Sequence, residues 1–295
     1  MNTFDQIKNN PVNRRAFLQR MGAAGLGVAA IALLDGCGGG NNGGLIGGGG
    51  NGGGGGGGTN TGTFPVAAIP GRNDNEKVLN FALTLEILEA DLYRQALNIA
   101  VGRPVTAPLE ANSSAYTAPT VPPGNVLSAN GAFAYLRDFA FVEAAHREFL
   151  TAAIRQGGGT PVTRNPKGYK FAAGSGVGPG SSLAALLTGL YPLEEEGVSA
   201  YLGAAPFLTD LGLLQTAVTI YSTEARHSAA IAYILGLPTG PRQNIPGVGD
   251  RKKVQIGGND LPYSGLNNES PDENIFEYFI PPQIVVQNIQ PFFVA

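Results

Sequence analysis

The sequence predicts an all-α protein whose core is a four-helix bundle. Three observations carry that prediction. Four stretches hold apolar residues at helical i, i+3, i+4 spacing, and turn-forming Gly or Pro residues close them. Each apolar stripe includes a glutamate, a residue that would be expensive to bury without a partner. The only two histidines, His146 and His227, each follow a glutamate by three residues, in "FVEAAHREF" and "YSTEARHSA".

The first helix is expected over residues 73–101. Asn73 or Asp74 caps it, and Gly102 with Pro104 ends it. Leu79, Ala82, Leu83, Glu86, Ala90, Tyr93 and Leu97 share one face. A long Pro-rich loop leads to the second helix, residues 131–156, whose inner face carries Leu136, Phe139, Ala140, Glu143, His146 and Leu150. A Gly/Pro-rich crossover, roughly residues 158–180, joins the second helix to the third.

Ser181 or Ser182 caps the third helix, residues 182–204, and Pro192 is expected to kink or break it. Leu187, Leu190, Tyr191, Glu194, Val198 and Tyr201 line its inner face. The fourth helix, residues 210–236, aligns Ala217, Ile220, Tyr221, Glu224, His227 and Ile231, and Gly236 with Pro238 stops it. No helix or strand series is evident after Pro238. The irregular C-terminal tail, residues 241–295, is expected to pack over the bundle of residues 65–240, with one short helix near 281–289.

The bundle repeats itself. Leu85-Glu86 is followed by Tyr93, and Leu193-Glu194 by Tyr201, each seven residues after the glutamate. Each of these helices precedes one carrying Glu-x-x-His. Two such pairs can pack with their acids inward around an approximate twofold axis. Four carboxylates offset the charge of two divalent ions, and two neutral imidazoles add nitrogen donors. The i, i+3 spacing puts each Glu and His on one helix face. One Glu from each of two helices, with Glu-x-x-His from each of the other two, is a di-iron carboxylate donor set.

The segments "LNFALTLEILEADLYRQAL", "GVSAYLGAAP" and "TEARHSAAIAYILG" resemble the ferritin-like superfamily over roughly residues 70–240. The resemblance is strongest to exported bacterial ferritin-like-domain proteins related to plant desiccation-related proteins. It implies two iron ions, or iron with manganese, reacting with dioxygen or peroxide. By the same resemblance Glu143 and Glu224 would bridge the ions, Glu86 and His146 would complete one, and Glu194 and His227 the other. The Glu-to-Tyr spacing is similar to that of bacterioferritin and rubrerythrin and selects Glu86 over Glu89. Glu89 is then either a supplementary ligand or, by preference, a solvent-side or helix-interface acid. Glu195 is the runner-up to Glu194. Tyr93 and Tyr201 either hydrogen-bond ligand carboxylates, relay an electron, or serve only as core. The resemblance leaves a second function open: a non-enzymatic metal-binding or stress- and desiccation-protective envelope protein.

The N-terminus reads as an address. Arg14 and Arg15 precede an Ala/Gly-rich apolar run, Met21 to Leu34, in a pattern that resembles a twin-arginine export signal over residues 1–37. The run is short for a membrane span. Leu34-Asp35-Gly36-Cys37 resembles a lipobox, which would lipidate Cys37 and anchor the periplasmic protein to a membrane; the alternative is a soluble mature protein cut nearby. Asp35 departs from the lipobox pattern. Residues 38–64 form a Gly-rich linker. Cys37 is the single cysteine, so no internal disulfide forms. The formal charge of −3 argues against nucleic acid as a partner, because phosphate neutralisation needs clustered Lys and Arg. "GSGVGPGSS" lacks the Lys-Ser/Thr ending of a phosphate loop.

Overall fold

A computed structural model describes residues 63–118, 129–253, 255–256, 259–260 and 276–294. The export segment, Cys37 and nearly all of the Gly-rich linker lie outside the described residues. Four long helices form: α1 (Asp74–Ala100), α2 (Ala129–Gln156), α3 (Leu183–Ala204) and α4 (Leu211–Leu235).

Their ends follow local chemistry. Asn73 Oδ1 accepts from the Glu76 amide at 2.9 Å, Ser182 Oγ from Ala185 at 3.2 Å and Asp210 Oδ1 from Leu213 at 2.9 Å. Each bond satisfies one of the orphan donors of a helix start. Gly236, at φ +70°, ends α4, and the Leu237 amide turns back to the Ala232 carbonyl at 2.8 Å.

The helices pack as two main pairs, α1 with α2 and α3 with α4, and α1 also meets α3. Burial shows their different stations. In α4 the buried residues are Ile220, Glu224, His227, Ser228, Ile231 and Ala232, a single stripe. By contrast α1 is buried on almost every face, because the crossover covers its outer side. Asn80 anchors that cover: its Nδ2 donates to the Pro70 and Thr160 carbonyls, and its Oδ1 accepts from the Val162 amide at 2.8 Å.

Pro192 does not break α3, which is helical from Leu183 to Ala204. Thr188, whose carbonyl loses its partner, is exposed, so water can satisfy it. The tail passes over this helix. Gly247, at φ +84°, lies against the Pro192 ring, and the Ile280 amide donates to the Ser199 carbonyl at 3.1 Å. A Cβ on Gly203 would stand 2.0 Å from the Ile280 carbonyl oxygen, so only glycine permits this approach.

The tail holds more structure than its composition suggests. Strand β1 (Lys252–Lys253) pairs antiparallel with β4 (Tyr278–Phe279), and β2 (Gln255–Ile256) with β3 (Asn259–Asp260). Helix α5 (Pro282–Asn288) follows. Two-residue strands leave no alternating pattern for a sequence to display.

Candidate metal centre

The four helices bring Glu86 (α1), Glu143 and His146 (α2), Glu194 (α3), and Glu224 and His227 (α4) to one buried place. Two overlapping groups form. Donor atoms of Glu86, Glu143, His146 and Glu224 lie within 4.8 Å of one another, and so do those of Glu143, Glu194, Glu224 and His227. Glu143 and Glu224 belong to both.

Glu143 spans the two groups. Its Oε2 lies 3.2 Å from His146 Nδ1 and its Oε1 2.8 Å from His227 Nδ1. His146 Nδ1 also stands 3.3 Å from Glu86 Oε2 and 3.2 Å from Glu224 Oε1. Glu194 Oε2 is 3.4 Å from His227 Nδ1. The ring of His227 stacks on Phe139, with centroids 3.8 Å apart.

The two tyrosines cross between the halves of the repeat. Tyr93 of α1 donates its hydroxyl proton to Glu194 Oε1 of α3. Tyr201 of α3 donates to Glu86 Oε1 of α1 at 2.6 Å. Each tyrosine fixes one oxygen of a carboxylate and leaves the other, Oε2, turned toward the cluster.

Those inner atoms have no partners of their own. Glu86 Oε2, Glu143 Oε1, Glu194 Oε2, both oxygens of Glu224 and His227 Nδ1 are buried without a hydrogen bond. They are six of the nine such side-chain atoms among the described residues, so the unmet demand is concentrated here. Buried polar atoms are ordinarily paired. Atoms this close that do not bond one another converge on a shared position, and cations would satisfy them.

The electrostatics agree. Burial lifts Glu86 to about 7, and burial with the charges of Glu143, Glu194 and Glu86 raises Glu224 well above the usual carboxylate range. Burial alone would also raise Glu143, but the close imidazoles of His146 and His227 hold it at about 2. The imidazoles respond in kind. Burial disfavours their charged form, yet Glu194 and Glu143 raise His227 to about 11, and Glu143, Glu224 and Glu86 raise His146 further. Without metal, protons supply the positive charge that the cluster requires.

The run Glu194-Glu195-Glu196 fans out to three destinations, as residues stepping roughly 100° around a helix should. Glu194 enters the cluster. Glu195 Oε2 pairs with Arg251 of the tail at 2.9 Å, and its Oε1 accepts from Ser228 and Tyr191. Glu196 accepts from Asn288 of α5 at 2.9 Å. Arg251 is buried and also reaches Ser199, the Arg242 carbonyl and Glu277. Among the three acids, then, Glu194 alone is free to serve the centre.

Of the alternatives for Glu89, the solvent-side one fails: Glu89 is buried, its Oε1 beside Gly197 of α3, and the carboxylates of Glu224, Glu86, Glu143 and Glu194 all press on it.

A family model described as the ferritin-like domain matches residues 74–237, the span that carries all four helices. The chain belongs to the ferritin-like family. No curated protein matches it. Within this ferritin-like bundle the buried Glu/His cluster is compatible with a metal site. One contributor escaped the sequence reading, Arg251. Glu89 lies one turn from Glu86, so periodicity alone allowed it an inward face. Arg251 is 56 residues from Glu195 and carries no local signal.

Proposed function

We propose that this chain is an exported, membrane-tethered ferritin-like protein whose bundle holds two iron ions, or iron with manganese, and reacts with dioxygen or peroxide. One observation carries the reading: two donor groups that share Glu143 and Glu224 and leave six buried atoms unpaired. Carboxylates with imidazole suit iron and manganese. When bound, a pair of such ions supplies electrons to the oxidant.

The protein's own residues do the rest. Glu143 and Glu224, common to both donor groups, would help hold both ions. Glu86 with His146 would complete one position, and Glu194 with His227 the other. Tyr93 and Tyr201 hold the outer oxygens of Glu194 and Glu86, which fixes the direction of the inner ones. Phe139 against His227 excludes water from that half. His146 keeps 15% side-chain exposure against 4% for His227, so a small oxidant would approach from the His146 side.

Export and tethering rest on Arg14, Arg15 and Cys37, in the expectation that a twin-arginine route carries the folded protein and a lipid on Cys37 holds it. The test is metal content per chain in protein purified from the exporting host, followed by the absorbance spectrum after peroxide is added. Two iron or manganese ions and a new visible band are expected. Replacing His146 and His227 together with Ala should abolish two-ion loading and leave helical content largely intact. Two ions with no response to peroxide would favour the non-enzymatic, protective reading, and a double variant that still loads two ions would refute the proposed site.

A further inference from the structure

The internal repeat extends to the residues ahead of the two Glu-x-x-His pairs, and there its halves differ. Four and eight residues before Glu224 stand Ile220 and Thr216; four and eight before Glu143 stand Phe139 and Tyr135. The rings of α2 form a series. Phe139 stacks on His227 of α4 with centroids 3.8 Å apart, and the Tyr135 ring stands 5.5 Å from Phe139. Tyr135 is 46% exposed, whereas Phe139 and His227 are buried. Two ring-to-ring steps therefore lead from solvent to a donor of the more enclosed half of the centre, and the matching stations of α4 offer no such series.

Chemistry selects Tyr135 over its neighbour. Tyr93 also faces Phe139, at 6.5 Å, but it is buried and its phenol donates to Glu194. A phenol that gives up an electron must also release its proton. Water can take that proton from exposed Tyr135. The charge one turn away is already matched, since Asp138 pairs with Arg137 at 2.9 Å. An exposed ring with no unbalanced charge beside it does little to steer a charged protein. It suits a small neutral aromatic reductant that lies against the ring.

We propose that Tyr135 is the electron port of the centre: a hydroquinone-class donor is oxidised at Tyr135, and its electrons reach the His227 position through Phe139, while peroxide enters on the His146 side. The proposal rests on the reading of the cluster as a two-ion, peroxide-reactive site. For each peroxide the donor gives up two electrons and two protons and becomes a quinone; the O–O bond breaks and two waters form. Tyr135 passes the electrons one at a time. As each leaves, its phenolic proton goes to water, and a hydrogen atom from the donor restores the phenol.

The test mixes iron-loaded parent, Tyr135→Phe and Tyr135→Trp with peroxide, first alone and then with hydroquinone. Without the donor, electron spin resonance of rapidly frozen parent should show a tyrosyl radical. That signal should fall several-fold in Tyr135→Phe, with ion content and the absorbance response to peroxide unchanged. With the donor, quinone formation should fall about tenfold in Tyr135→Phe and recover in Tyr135→Trp, whose indole can be oxidised. Phe139→Leu, if it still loads two ions, should lose the Tyr135 radical as well, and keeping it would overturn the route. Phe at 135 retains the ring and its i, i+4 packing on Phe139, so a merely structural Tyr135 predicts a parental radical yield and quinone rate in Tyr135→Phe. That result, in a parent that answers peroxide, overturns the port alone. A parent that loads two ions without any response to peroxide removes the redox reading and this proposal with it.

Discussion

Loading the ion-free protein with two divalent ions at pH 7 should release three to four protons from the six-residue cluster. The number follows from which groups must give up a proton before they can donate a lone pair. His227, at about 11, and His146, raised further still, each hold a proton at pH 7. Glu224, raised well above the usual carboxylate range by burial and its neighbouring carboxylates, favours its protonated form as well. Glu86, at about 7, holds about half of one. Charge balance reaches the same figure from the other side. Four carboxylates need four positive charges, from protons when ions are absent and from two divalent ions when they are present. The overall two-ion binding constant should therefore rise roughly a thousandfold per pH unit near neutrality. Calorimetric titrations in two buffers of equal pH and different ionisation enthalpy count the protons directly. Release of fewer than one proton would refute the argument, because the imidazoles would then already be neutral and the carboxylates already charged.

The ion-free protein should lose stability as pH rises. Glu86 keeps its proton to about 7 while the unfolded chain sheds it near 4.5, and His227 keeps its own to about 11 while the unfolded ring loses it near 6.5. The folded state binds more protons throughout that range, so its melting temperature should fall from pH 5 to pH 9; a rising profile would contradict the assignment. Glu143, held at about 2, acts oppositely and costs stability only as pH drops below about 4.5. Arg251→Met should destabilise by about 3–5 kcal/mol in denaturant titrations, because Glu195 is left buried without its cation. A loss under about 1 kcal/mol would mean that Ser228 and Tyr191 suffice for Glu195. Cys37→Ser should release the protein from membranes without changing its melting curve, and a variant that stays membrane-bound would exclude the lipid anchor.

Much of the bundle was legible because its signals are local. Asn73, Ser182 and Asp210 cap within three residues of themselves, and Gly236 closes α4 with a left-handed turn. The Glu-x-x-His pairs were legible because i, i+3 spacing fixes a common face before any packing is known. Signals that depend on distant chain were not. Whether Glu195 or Glu194 entered the cluster depended on Arg251, and the depth of Glu89 depended on a glycine on another helix. Pro192 leaves α3 unbroken for a related reason: its cost falls on Thr188, and that cost is small because the fold leaves Thr188 exposed to water.

The crossed tyrosines carry a consequence for how the molecule closes. Tyr93 meets its acceptor only when α3 is seated, and Tyr201 only when α1 is. A chain with one helix pair docked and the other still loose would strand two hydroxyls and two carboxylates at once, each costly to leave unmet in a dry interior. Half-assembled states are therefore penalised from both sides. The two halves should close together in a single concerted transition, and a fragment ending in the crossover should not hold a partial centre by itself.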